Sequence, residues 1–344
     1  MKSLIECYFL DVGQGSANVI DLGDGSAIVI DCGRNSDVLT VLLKEEIKVR
    51  TIEAVILTHN DIDHIGGVVG LIQEFKDCIQ NIFLLLDRAP KSLLELKAIQ
   101  FLIDSAEAGE IPEPENLTRS SRNLLLCERK FAEGHVKLEL LFPSFLSNVT
   151  ALTRQNANSS SAILLLSVEG KRVLYSGDAD MHSWSVVYKR RNERPLKCDI
   201  IAVPHHAGAL NEKENAGQTV ATLDTNALYS KVIRATHAIV SVGTNNGYEH
   251  PNPNHISALM VGGACVKCTQ ITDKCVAPPS QRGLGLIHEY NTLPGAAMYG
   301  RGNGCAGTVL AKINSGEVEI VHHDEHQSAV DSIRGKKPGP RCRS

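Results

Sequence analysis

The sequence is poor in aromatic residues: Phe, Tyr and Trp make up 4% of 344 residues, with a single Trp. A core built from it must rest on Leu, Ile, Val and Ala, the residues of buried strands in layered α/β proteins. Long apolar runs are also missing. No stretch approaches the roughly 18 to 20 apolar residues that cross a bilayer, and the first ten residues hold no apolar core of signal-peptide length. No membrane partner is expected, and a cytoplasmic location is. Positive charge is not in excess either: 35 Lys and Arg against 39 Asp and Glu give a formal net charge of -4 and a pI of about 6.4. Any nucleic-acid binding must therefore be local. No internal repeat of solenoid period is visible. What the chain does have is 43% hydrophobic residues, enough to bury a substantial core.

Ten cysteines without an export signal point to reduced thiols or metal ligands before disulfides. Cys7, Cys32, Cys78, Cys127 and Cys198 sit among apolar neighbours and read as small buried hydrophobes. Cys265, Cys268, Cys275 and Cys305 are different. Their C-x2-C and C-x6-C spacing with a distant fourth member makes a candidate structural zinc site that pins the C-terminal segment. Free thiols in a loop-rich cap explain the same four residues.

Apolar runs at residues 5–12, 17–22 and 27–31, separated by Gly13-Gln14-Gly15 and Gly23-Asp24-Gly25, predict an opening antiparallel meander. Val38, Leu39, Leu42, Leu43 and Ile47 recur at helical spacing, and helices are also predicted over 66–76, 92–106 and 182–188. Strands are predicted over 53–57, 82–86, 136–142, 162–168, 172–175, 200–203 and 238–242, with a closing pair over 308–313 and 318–321. Residues 109–123 and 148–160 read as polar connections. Residues 1–321 are expected to form one domain, with 261–321 as a candidate Cys-containing extension. The basic segment 322–344 cannot bury a core and reads as a disordered tail.

Four times, after residues 57, 175, 203 and 242, a buried strand runs into a cluster of His or Asp. Open α/β architectures build active sites in this way, at the carboxyl ends of strands. The densest cluster is Thr58-His59-Asn60-Asp61-Ile62-Asp63-His64-Ile65-Gly66-Gly67. His59, Asp61, Asp63 and His64 mix imidazole nitrogen with carboxylate oxygen, as zinc, manganese or iron prefer. Gly66 and Gly67 would let the backbone pass close to the metals. The other strand ends present Ser176-Gly177-Asp178, Pro204-His205-His206 and a loop ending in His250-Pro251. His182, His237 and His255 have no such context and read as surface or core histidines.

The pattern H-x-D-x-D-H-x-G-G after an apolar strand and a Thr resembles the signature of metallo-β-lactamase-fold hydrolases, in the variant where Asp replaces the second His. That variant is similar to the soluble nuclease-like domains of ComEC competence proteins. The similarity extends through Asp11-Val12-Gly13-Gln14-Gly15, Asp31-x-Gly33, Asn158-Ser159, Ser176-Gly177-Asp178, Pro204-His205-His206, Ser241-Val242-Gly243 and Asn246-x3-His250-Pro251. It implies a four-layered αββα sandwich with a two-metal site at one edge. His59 and Asp61 would face the first metal, Asp63 and His64 the second, and Asp178 would bridge them. His205, His206 and His250 are candidates for the remaining positions. The region before the hairpin, where relatives supply another His, here offers Asn156 and Asn158, which tilts metal preference towards manganese or magnesium over zinc. Two departures, Ser16 after Gln-Gly and Ala207 after the double histidine, leave open which of His205 and His206 points at the metals. Asp31 would orient a ligand histidine.

The resemblance implies a metal-dependent phosphodiesterase or nuclease acting on DNA, RNA or nucleotides, with a water activated by two divalent ions attacking phosphorus. Asp63 and either His205 or His206 would serve the catalytic step. Asp61 argues against lactam or thioester chemistry. Hydrolysis of small cyclic nucleotides or other phosphoesters is the nearest alternative, and a non-catalytic interaction module with a protein partner in a multi-component system is another. Lys189, Arg190, Arg191, Arg194 and Lys197 could track a phosphate backbone, or form a solvated basic helix face.

Overall fold

Strands buried on both faces must be covered on both faces, and the chain achieves this by stacking two sheets and covering each outside with helices. In the computed structural model, residues 5–332 and 342 are described, except 87, 120–123, 132–133, 155–159, 211–222, 245, 276–292, 294–303 and 315. The first sheet contains β1 (Ile5–Phe9), β2 (Ala17–Asp21), β3 (Ser26–Cys32), β4 (Thr51–Leu57), β5 (Ile82–Leu84) and β6 (Glu115–Asn116). The second contains β7 (Leu124–Phe131), β8 (Gly134–Phe142), β9 (Ile163–Val168), β10 (Lys171–Tyr175), β11 (Ile200–Ala202), β12 (His237–Val240) and β13 (Cys265–Cys268). The chain then returns to the first sheet with β14 (Val309–Asn314) and β15 (Glu317–Ile320). The strand orders are β15-β14-β1-β2-β3-β4-β5-β6 and β13-β12-β11-β10-β9-β8-β7.

Alternation sorts each strand between two layers. Ile5, Cys7 and Phe9 of β1 face the other sheet, as do Ala54 and Ile56 of β4 and Leu164, Leu166 and Val168 of β9. Tyr8, Leu10, Val55 and Leu57 turn outward against α1 (Asp37–Val41, continued by a wider turn to Ile47), α2 (Ile62–Ile65), α3 (Val68–Phe75) and α4 (Leu93–Glu107). Phe145–Arg154 forms α5. Ile163, Leu165 and Leu174 of the second sheet face α6 (Met181–Arg190), α7 (Thr225–Ala227, running on to Ile233) and α8 (Pro253–Val261). The architecture is a four-layered αββα sandwich, as the resemblance implied. Trp184 of α6 is fully buried in the outer layer, and Cys7, Cys32 and Cys198 fill apolar gaps as expected.

The meander forms as predicted, with β1, β2 and β3 antiparallel. Then β3, β4 and β5 run parallel, and so do β10, β11, β12 and β13. The carboxyl ends of both parallel sets therefore open on one edge of the sandwich.

Three segments differ from expectation. Residues 124–131 form β7, an edge strand whose Glu128, Arg129 and Lys130 obscure its period in sequence. Residues 145–154 are helical, so the helix takes up the first half of the polar connection expected over 148–160. The segment expected as a tail begins with α9 (His323–Ser332), which buries His326 and Val330; residues 333–341 lie outside the described set. Among the described residues no helix is long and apolar enough to cross a membrane.

Leu166 is fully buried between the sheets. Leu166→Ala removes its contacts and leaves a cavity, and a loss of about 2–5 kcal/mol in urea unfolding is expected. A loss below about 1 kcal/mol would contradict the stacked core.

Candidate metal centre

The site is assembled by short hydrogen bonds between strand ends. Asp31 closes β3 with a left-handed backbone (φ 59°) and is 1% exposed. Its carboxylate accepts from the Thr58 amide at 2.8 Å and from the Thr58 hydroxyl at 2.8 Å, which ties the end of β4 to β3. The same carboxylate lies 2.7 Å from Nδ1 of His64. That contact makes Nδ1 the donor and turns Nε2 of His64 inward. His59 Nδ1 lies 3.1 Å from the Thr58 hydroxyl and 3.3 Å from that of Ser161. Ser161 also accepts from the Asp178 amide at 2.8 Å. His206 Nδ1 donates to the Ser241 carbonyl at 2.9 Å.

Each of these three imidazoles thus has one nitrogen committed to the protein. The other nitrogens, Nε2 of His59, His64 and His206, are buried and without a hydrogen-bond partner, as is Oδ1 of Asp178. Four buried ligand-type atoms converging on one space are a costly arrangement unless protons or a cation sit among them. Asp178 lies at the centre: Oδ1 is 3.1 Å from His64 Nε2 and 3.6 Å from His206 Nε2, while Oδ2 is 3.8 Å from His59 Nε2 and 4.0 Å from His205 Nε2. Asp63 Oδ2 is 3.4 Å from His206 Nε2. Two overlapping sets, His59 with His64 and Asp178, and Asp63 with His64 and His206, each hold ligand atoms within 4.8 Å of one another. Their mixed nitrogen and oxygen donors fit a divalent transition metal.

The electrostatics follow from burial and proximity. Burial pushes the Asp178 carboxyl up, but the charges of His64, His206 and His205 outweigh it and hold it well below the ordinary range. Burial pushes His64 down, yet Asp31 and Asp178 raise it well above 6.5, and Asp178 and Asp63 raise His206 in the same way. His250 goes the other way: burial and the neighbouring His206 and His205 hold it at about 4.

Of the residues singled out from the sequence, His59, Asp63, His64, Asp178 and His206 come together. His206 is 4% exposed and aimed inward, whereas the His205 side chain is 29% exposed at the rim. His250 stands behind them, its ring 5.2 Å from that of His205 and its Nδ1 3.2 Å from Gln14 Nε2. Asp61 is only half turned to the site. One of its oxygens takes the Arg88 guanidinium and the other lies 3.9 Å from His59 Nε2. Arg88 is also held by Glu95 at 3.0 Å, and Lys91 reaches to 4.0 Å from Asp61. Sequence reasoning missed Arg88, Lys91 and Glu95. The signal was slight: Ser92-x-x-Glu95 has helix-capping form, and Ser92 does accept from the Glu95 amide.

The double-histidine turn is strained, with φ of 53°, 50° and 57° at His205, His206 and Ala207. It is held from three sides: His205 donates its amide to Gly177, His206 its ring to Ser241, and buried His255 hydrogen-bonds the Gly208 carbonyl at 2.6 Å. His255 is thus a core histidine that supports the turn, and His182 is half-buried on α6.

Gly66 and Gly67 serve the loop after β3 and not the metals, since a Cβ would come within 2.5 Å of the Arg34 carbonyl and 2.2 Å of that of Cys32. Gly15, at φ 144°, allows the first loop to lie against Asp63, whose carbonyl would be 2.5 Å from a Cβ. The run from Lys189 to Lys197 begins at the far end of α6, roughly 15 Å along the helix from Asp178. It does not line the site. Asn156 and Asn158 lie outside the described residues.

A family model described as the Metallo-beta-lactamase superfamily matches residues 10–82, from the end of β1 through the His59–Gly67 motif to β5. The resemblance read from that motif stands at the level of the superfamily. Among solved structures, the chain is similar to the metallo-beta-lactamase fold protein YhfI from Bacillus subtilis, with 13% identity, 78% of this chain and 96% of that chain covered, and a TM-score of 0.42. It is also similar to Zn(2+)-bound PqqB from Methylobacterium extorquens, with 14% identity over 74% of this chain and 85% of that one and a TM-score of 0.41. Human tRNase Z, short form, shares 17% identity over 69% of this chain and 92% of its own, with a TM-score of 0.39. No curated protein matches the sequence.

Two outcomes are expected. Asp31→Ala frees the His64 ring and should weaken metal binding about 10- to 100-fold in a calorimetric titration, with the fold intact by circular dichroism. Because the neighbouring carboxylates raise His64 and His206 above 6.5 in the metal-free protein, a metal must displace their protons, so apparent affinity should rise as pH rises above 6.5, with measurable proton release. A flat profile would show that the metal does not bind these rings.

Proposed function

We propose that the chain is a metal-dependent hydrolase of phosphodiesters in DNA, RNA or nucleotides. The observation that carries this reading is the convergence of unsatisfied nitrogens of His59, His64 and His206 on the Asp178 carboxylate, beside the cations Arg88 and Lys91. His59, His64 and Asp178 would hold one ion, with Asp61 at its edge, and Asp63, His206 and Asp178 would hold the other, His64 being within reach of both. Divalent ions there would lower the pKa of bound water and neutralise charge developing on phosphoryl oxygens. Three imidazole nitrogens favour zinc or manganese over magnesium.

The chain's own groups supply the rest. Asp178 presents one oxygen to each side and keeps its negative charge, because the surrounding imidazoles hold it far below its usual pKa. Arg88, 6% exposed and engaged by Asp61 and Glu95, fixes Asp61 beside the site, and Lys91, more than half exposed, places a cation at the mouth. His205 stands at the rim within 4.0 Å of Asp178 and is placed to give a proton to the leaving oxygen. Asp61, where many relatives carry His, supports phosphoester over lactam or thioester substrates.

A small substrate, such as a cyclic nucleotide, is the second reading. It is favoured by the position of the Lys189–Lys197 run, which lies away from the site and does not extend a phosphate track from it.

Turnover of bis-(p-nitrophenyl) phosphate, linear DNA, RNA and cyclic dinucleotides with manganese, zinc or magnesium tests both readings. Asp63→Ala should lower the rate by about 100-fold or more on whichever substrate is cleaved. Equal turnover by wild type and Asp63→Ala would sink the assignment, and cleavage of the dinucleotides alone would select the second reading.

A further inference from the structure

A second group of metal-type ligands lies at the opposite end of the second sheet. β11, β12 and β13 run parallel, and β11 and β12 deliver His206 and Ser241 to the site at their carboxyl ends. Their amino ends lie a strand length away. There β12 starts with His237 and β13 with Cys265, and the register pairs these two residues directly. Directly paired side chains leave the same face of a sheet roughly 5 Å apart. α9 supplies the third member: the His323 ring meets the His237 ring edge-on, with centroids 5.8 Å apart. One ligand atom from each of His237, Cys265 and His323 lies within 4.8 Å of the other two.

Nδ1 of His237 and Nδ1 of His323 are both buried and without a hydrogen-bond partner. Unlike the orphaned nitrogens around Asp178, these have a thiol beside them. Lys267, on the same face of β13 two residues beyond Cys265, is 1% exposed, with Nζ 3.3 Å from His326 Nδ1.

We propose that His237, Cys265 and His323 form a structural site for a zinc-class divalent cation, which staples α9 to the edge strand β13. The site has two imidazole nitrogens and one sulfur, a donor set that zinc accepts. It replaces the four-cysteine arrangement suggested by spacing. Cys265 and Cys268 are three residues apart on one strand, so they point to opposite faces. Cys268 packs among Val266, Leu259 and Ile256 in the helix-side core.

Cobalt(II) titration of the full chain tests the proposal, because a thiolate-to-cobalt charge-transfer band in the near ultraviolet reports a sulfur ligand and the residues around Asp178 offer none. The band is expected in the wild type and in Asp63→Ala and Cys268→Ala. It should vanish in Cys265→Ala and require at least about tenfold more cobalt in His323→Ala, a change on a surface helix that should leave the fold intact by circular dichroism. Absence of the band from the wild type overturns the proposal. So does a band that survives Cys265→Ala and disappears in Cys268→Ala, or one that His323→Ala leaves unchanged.

Discussion

A carboxylate only 4% exposed, with four imidazoles within 4.0 Å of its two oxygens, is the constraint on which the rest of this molecule turns. Such a group is expensive to bury unless positive charge compensates it. In the metal-free protein the compensation comes from protons held on His64 and His206. Divalent cations would supply more charge in the same space and satisfy the nitrogens that protons leave unmatched. Backbone strain accompanies it: Asp31 and the turn at 205–207 adopt left-handed conformations beside the site, at a cost of about 1–3 kcal/mol each.

The sandwich makes this affordable in geometric terms. Two rigid sheets, locked by the Leu, Ile and Val layer between them, bring two sets of parallel strand ends to one edge. Loops leaving those ends are short and mutually hydrogen-bonded, so the donors are held before any ion arrives. The same topology produces the opposite edge, where strand beginnings bring His237 and Cys265 into register. One arrangement of parallel strands therefore places ligand-type residues at both ends of the second sheet, with different donors: nitrogen and oxygen at one, nitrogen and sulfur at the other.

Much of this was legible beforehand. The motif from His59 to Gly67 announced its chemistry because the residues that act together are adjacent in the chain. Strand ends at Asp178, His205 and His250 were legible because buried strands are continuous apolar runs and the residues after them change character abruptly. Less visible were elements whose periodicity is masked, such as β7 with its charged outer positions and α5, whose Phe145 and Leu146 remain exposed.

The sequence alone determined most of the strands and the residue types around the candidate metal centre, since these follow from local pattern: period, apolar content and the spacing of His and Asp; the sandwich was what the resemblance carried by those motifs implied. Tertiary structure decided which side chains share a space. The choice of His206 over His205 rests on a hydrogen bond to Ser241, 35 residues away, and the orientation of His59 on Ser161, 102 residues away. Asp61 is held by Arg88, 27 residues on, and Cys265 is separated from Cys268 by the pleat of a single strand. Spacing along a chain cannot carry such information, because the direction of a side chain is set by the backbone it stands on and by the partners that the fold brings to it.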